Sequence, residues 1–149
     1  MMVKAMVTLV RKIFIKAPPE IVFKVLTDFE GMTKIDPGIV DVKIISDKKE
    51  GVGVRTHWVA QTPDGGTVKW IEEITEWVPN KRYSFKTISG PMQIAGTHTL
   101  VPVEDGTEVT FEESYYYEDV NVEEAGKTME KLLENAKNAA EKLYSEMKK

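Results

Sequence analysis

The chain contains no cysteine, which excludes disulfides, thiolate nucleophiles and zinc–thiolate centres. Histidine is scarce as well: His57 and His98 are the two in the chain, and they lie on separate segments. No stretch approaches the roughly 18 consecutive apolar residues that a membrane span requires. The N-terminal segment carries Lys4, Arg11, Lys12 and Lys16, which break up any export-type apolar region. A cytoplasmic location is therefore expected. Clusters of Lys and Arg alternating with aromatics are missing and the net charge is −4, so nucleic acid is not an expected partner. A phosphate-binding glycine loop, a nucleophile elbow and histidines paired at i,i+4 are all lacking. No motif calls for a cofactor or a metal.

What is present is strong amphipathic order. With 149 residues, 42% of them hydrophobic and 30% charged, the chain suits a single globular domain spanning 1–149. Its most regular stretch is the last, Asn121 to Lys149. Apolar or small residues recur at Val122, Ala125, Met129, Leu132, Leu133, Ala136, Ala140, Leu143 and Met147. Those steps of three and four mark one face of a long helix. Asn121 is placed to cap it, with Glu124 completing a capping-box spacing. Met129, Leu132, Leu133 and Ala136 are expected to face a sheet, and Lys131 and Lys137 to face water.

Elsewhere the period is two. Residues 3 to 16 alternate as a strand, with Val7, Leu9, Ile13 and Ile15 on one side. Ala17-Pro18-Pro19-Glu20 then opens a short helix through Leu26, because proline is tolerated in a first helical turn. Gly31 closes that helix, and residues 32–36 offer one further turn before Pro37-Gly38. Six strands follow, over residues 39–46, 54–61, 67–78, 82–88, 93–103 and 109–118. Turn signals separate them, among them Pro63-Asp64-Gly65-Gly66 and Glu104-Asp105-Gly106. Short connections make successive strands antiparallel neighbours. The expected architecture is α+β: a curved antiparallel sheet of about seven strands around the long C-terminal helix, with two short helices after the first strand.

The segments Ile13 to Phe23, with Ala17-Pro18-Pro19-Glu20 at their centre, and Leu26 to Met32 resemble the opening of the START-related polyketide cyclase/dehydrase and lipid-transport-like proteins. So do Glu73-Ile74-Thr75-Glu76-Trp77-Val78-Pro79 and the run from Leu100 to Thr110. Around Asp28 to Pro37 the chain is also similar to the coenzyme Q-binding branch. The resemblance covers nearly the whole chain in order. It implies a helix-grip fold with an internal apolar cavity. It does not imply one function, since such folds host carriers, enzymes and interaction modules.

Strand parity nominates the residues of such a cavity. On the last strand Val109, Phe111, Glu113 and Tyr115 share a side, and Glu113 is the one charge among them. A carboxyl placed there would serve as an acid, a base or a hydrogen-bonding anchor, or else pair with a cation such as Arg55. Trp58 and its i±2 neighbours are the apolar side of their strand, and Tyr83 and Phe85 that of theirs. From Thr67 to Val78 two parities compete, Val68, Trp70, Glu72 and Ile74 against Ile71, Glu73, Thr75 and Trp77, and a bulge could switch faces midway. His98 faces inward only if it shares a side with Leu100, and Glu113 could then orient its imidazole. His57 and His98 could meet across the sheet, with Glu72, Glu73, Glu112 or Glu113 as a third group, as a metal site or an acid–base pair, or each could sit alone.

The candidate ligand-binding set is thus Met32 and Ile35 at a mouth, Trp58, Tyr83, Phe85, His98, Phe111, Glu113 and Tyr115 on the sheet, and Met129 and Leu133 on the helix. The expected partner is a small hydrophobic molecule (a lipid, polyketide or quinone-like compound) in a cavity of about 300–1,000 Å³, the usual range for ligand sites. A cyclase or dehydratase using cavity Tyr, His and Glu is the alternative. A protein-interaction module with a vestigial cavity is the third. The sequence does not specify an oligomeric state.

Overall fold

The computed structural model describes residues 5–149; Val3 and Lys4, included in the expected first strand, lie outside them. Seven strands form one antiparallel sheet in the order β1-β7-β6-β5-β4-β3-β2. They span Val7–Ile15 (β1), Ile39–Ile44 (β2), Arg55–Gln61 (β3), Thr67–Val78 (β4), Arg82–Ser89 (β5), Ile94–Val103 (β6) and Gly106–Tyr115 (β7). Between β1 and β2 lie helix α1 (Pro19–Thr27), a 3₁₀ turn at Phe29–Gly31 and the short helix α2 (Met32–Ile35). Helix α3 runs from Val122 to Met147. This is the helix-grip arrangement.

Local chemistry accounts for the boundaries. The Asn121 side chain accepts a hydrogen bond from the Glu124 backbone N–H at 3.0 Å and starts α3. Pro19 occupies the first turn of α1, where a missing N–H costs nothing. The last strand begins and ends three residues earlier than its sequence suggests. Asp105 adopts φ 67° in a two-residue turn that pairs Val103 directly with Gly106, so pairing begins at once and is used up by Tyr115.

The strand β4 resolves its own ambiguity. Its pairing with β5 is interrupted between Ile74 and Glu76, so Thr75 is an extra residue. Before the bulge Trp70, Glu72 and Ile74 face inward; after it Trp77 does, packed edge-on to Phe23 at 5.0 Å. Without the bulge one of the two indoles would be driven to the outer face.

Helix α3 buries Gly126, Met129, Leu133, Ala136 and Ala140. It rests mainly on β1 and α1, and three polar ties hold it along β1. Arg11 pairs with Glu130 at 2.9 Å, the Lys16 N–H donates to Glu141 at 2.8 Å, and Lys137 donates to the Phe14 carbonyl at 3.1 Å. Lys131 is exposed as expected, but Lys137 is not free in water: its ammonium lies 5.8 Å from the Phe14 ring centroid and bonds Glu141 at 2.7 Å. Gly126 lets the Arg11 guanidinium pass, since a Cβ there would lie 2.4 Å from Arg11 Nη2. Because α3 leans towards the β1 side, the space above β3 to β6 is left to aromatic side chains and to a cavity.

Candidate functional site

The cavity has a volume of about 230 Å³, somewhat below the expected range. Its floor is the concave side of the sheet: Trp58 and Ala60 on β3, Trp70 and Glu72 on β4, Tyr83 and Phe85 on β5, His98 on β6, and Phe111 and Glu113 on β7. Leu26, Phe29 and Met32 close one side, and Thr128 and Leu132 of α3 form the roof. Asp36, Ile39 and the exposed Thr128 mark its outer end.

Aromatic packing gives the walls their shape. The indoles of Trp58 and Trp70 are stacked at 5.9 Å, nearly parallel at 6°. Phe29 meets Trp58 and Tyr83 edge-on at 6.5 and 6.1 Å. His98 is sandwiched between Tyr83 and Phe111, with ring centroids 4.8 and 4.0 Å away. Gly96 is needed for this floor: a Cβ there would lie 2.6 Å from two Phe85 ring carbons and 3.1 Å from Phe111. These rings fill volume that a larger cavity would occupy.

Three polar groups look into this apolar space. Glu72 accepts a hydrogen bond from Trp70 Nε1 at 2.7 Å, and Glu113 accepts one from the Tyr115 hydroxyl at 2.5 Å. Both residues are half-buried and line the cavity. Burial pushes Glu72 up to about 8; the Trp70 bond opposes this and the charge of Glu113 adds to it. Burial likewise pushes Glu113 up to about 7 against the Tyr115 bond. His98 is 2% exposed, and burial holds it down at about 3, so its ring is neutral. Neither of its ring nitrogens has a hydrogen-bond partner among the described residues.

Several expected relations are replaced by others. Glu113 does not orient His98; it bonds Tyr115. Arg55, offered as its cation, lies on the outer face and pairs with Glu73 at 3.0 Å. His57 is on the outer parity of β3 and His98 on the inner parity of β6, so they cannot pair. The described residues include no group of three His, Asp or Glu spaced for a metal ion.

Of the candidate residues, Met32, Trp58, Tyr83, Phe85, His98, Phe111 and Glu113 line the cavity. Ile35, Tyr115, Met129 and Leu133 do not. Met129 and Leu133 point at the packed core between α3 and α1 or β1, Tyr115 spends its hydroxyl on Glu113, and Ile35 packs beside the core. Sequence reasoning missed Trp70 and Glu72 as lining residues. A signal was present: Trp70 and Trp77 are seven residues apart, an odd spacing that can bury both only across a bulge.

A curved sheet gripping one helix around an apolar, polar-tipped cavity defines a helix-grip protein. The chain belongs to the family described as polyketide cyclase/dehydrase and lipid transport, whose model matches residues 6–146. Solved structures show the same fold. The Thermus thermophilus protein TTHA0849 is 24% identical with a TM-score of 0.71, over 90% of this chain and 97% of that one. A START superfamily protein from Mycobacterium smegmatis is 16% identical with a TM-score of 0.72, over 94% and 98%. The di-domain ARO/CYC StfQ from the steffimycin biosynthetic pathway is 15% identical with a TM-score of 0.75, over 91% of this chain and 51% of that one. A comparison with curated proteins finds no match.

Proposed function

We propose that the protein binds a small, mainly apolar molecule in this cavity, with at least one hydrogen-bonding group on the ligand. The observation that carries the reading is His98. A neutral imidazole has one donor and one acceptor, and leaving both unpaired in a dry site is costly. A ligand carbonyl could accept from its N–H, and a ligand hydroxyl could bond either nitrogen. The size argues for a modest ligand: about 230 Å³ lies below the roughly 300–1,000 Å³ usual for ligand sites. That suits a substituted aromatic ring better than a sterol or a long acyl chain.

A second reading has one observation in its favour. Glu72 and Glu113, at about 8 and about 7, supply a protonated and an ionised carboxyl together near neutral pH, the requirement for acid–base work on a bound substrate. The family's cyclases and dehydrases are in keeping with it.

The test is NMR titration with 2-phenylethanol, following the three indole N–H signals. Trp58 and Trp70 line the cavity and Trp77 does not, so the first two should shift and the third should not. Native mass spectrometry of the purified protein would look for a retained molecule. Equal movement of all three indoles, or of none, with no retained molecule, would remove the proposal. Turnover of a ligand so identified, lost in Glu113→Gln with binding intact, would favour the catalytic reading.

A further inference from the structure

Two acids look into one apolar space with no cation between them. Glu72 lies on β4 and Glu113 on β7, three strand spacings apart, about 14 Å along a flat sheet. The curvature of this sheet tips both side chains into the same cavity, across a floor made low by Gly96. Among the described residues no Lys or Arg lines that cavity. Among the described residues the inward-facing strand cation is Arg11, and it is taken by Glu130 of α3. Each carboxyl has one oxygen bonded, Glu72 Oε2 by Trp70 and Glu113 Oε1 by Tyr115. The other two oxygens have no bond among the described residues. Beside them His98, 2% exposed, has no partner on either nitrogen.

We propose that this arrangement selects an organic cation: a small aromatic or aliphatic body carrying one protonated amine. The proposal rests on the cavity-binding reading above and names its ligand class. An ammonium has three N–H donors, and the cavity residues offer unpaired acceptors: Glu113 Oε2, the unprotonated nitrogen of His98 and, once it ionises, Glu72 Oε1. The faces of Trp58, Trp70 and Phe85 attract a cation through their ring quadrupoles, most strongly where water is excluded. A carboxylate ligand would place like charge beside two acids. An alcohol could satisfy His98 but would leave the acids without a counter-charge. A bound metal ion would need further ligands that the described residues do not bring together.

Binding should follow the ionisation of the pair. The other groups facing it are His98, neutral above about 3, and Tyr83, Tyr115 and Tyr117, all raised by burial first and also by Glu113. Asp36 stands at the mouth between α2 and β2, Arg11 is held by Glu130, and α3 presents the uncharged Thr128 and Leu132. Within the window from about pH 5.5 to 8, the pair itself is what changes charge, through Glu113 at about 7 and then Glu72 at about 8.

The experiment is calorimetric titration of the full chain with 2-phenylethylamine, 2-phenylethanol and 3-phenylpropionate. At about pH 7.5 the amine should bind about tenfold or more tighter than the alcohol, and the carboxylate should bind weakest. Raising the pH from about 5.5 to 8 should tighten the amine about tenfold and leave the alcohol unchanged. The double variant Glu72→Gln/Glu113→Gln should bring the amine to the affinity of the alcohol; should that variant not fold, the pH series on the unaltered protein tests the same dependence on the two charges. Alcohol bound as tightly as amine, or an amine affinity flat with pH, overturns the cation proposal alone. If neither compound binds, the cavity-binding reading falls with it.

Discussion

Replacing Glu72 by Gln should stabilise the protein at alkaline pH and do little at acid pH. Gln keeps the shape and can still accept the Trp70 Nε1 hydrogen bond, but it cannot ionise. In the native chain Glu72 is held at about 8 against an ordinary 4.5. A carboxyl raised on folding favours the folded state while it stays protonated, and that advantage is lost as pH rises from the unfolded value to the folded one. Between about pH 5.5 and 8.5 the loss integrates to about 3 kcal/mol at about 1.36 kcal/mol per unit. Water entering the cavity screens part of it, so the gap between variant and native protein should widen by about 1–2 kcal/mol over that range. His98 pulls the other way. Its folded value of about 3 against an ordinary 6.5 makes stability fall as pH drops below the ordinary value. Both proteins carry His98, so it cancels in the difference. Urea unfolding followed by far-ultraviolet circular dichroism at the two pH values measures the gap. A gap that is constant or narrows with rising pH would refute the burial of Glu72.

Gly96→Ala should cost about 1–3 kcal/mol through overpacking, since its Cβ would press on the Phe85 ring at 2.6 Å; an unchanged unfolding midpoint would show that the ring can give way. Leu133→Ala should cost about 2–5 kcal/mol, because Leu133 is 2% exposed on the buried face of α3; denaturant unfolding measures it, and a loss within about 0.5 kcal/mol, the range of a surface change, would contradict the packing. His98→Phe should raise the melting temperature of the ligand-free protein, by a stabilisation of about 1 kcal/mol, because it keeps the stack between Tyr83 and Phe111 and deletes two unpaired nitrogens. A lower melting temperature would mean that the imidazole has a partner.

The sequence by itself determined the elements and their order. The helical stripe from Met129 to Ala140, the Asn121 cap and the turns at Asp64-Gly65 and Asp105-Gly106 are local signals, set by side-chain period and backbone preference within a few residues. The inward parity of Trp58, Tyr83, Phe85 and Phe111 was legible for the same reason. Glu113 could be singled out because it breaks an apolar parity on its own strand. Tertiary structure alone decided what meets what. The inward turn of Glu72 depends on the bulge at Thr75, a choice made by packing Trp70 and Trp77 into one core, not by any preference of Thr75. That Glu72 and Glu113 open into one cavity follows from the curvature of a sheet in which β4 and β7 are not neighbours. That His98 has no partner among the described residues follows from its stack between Tyr83 and Phe111, and the retreat of Met129 and Leu133 from the cavity from α3 leaning on β1 and α1. Such facts depend on distances between segments far apart in the chain, and no local pattern of residues encodes them.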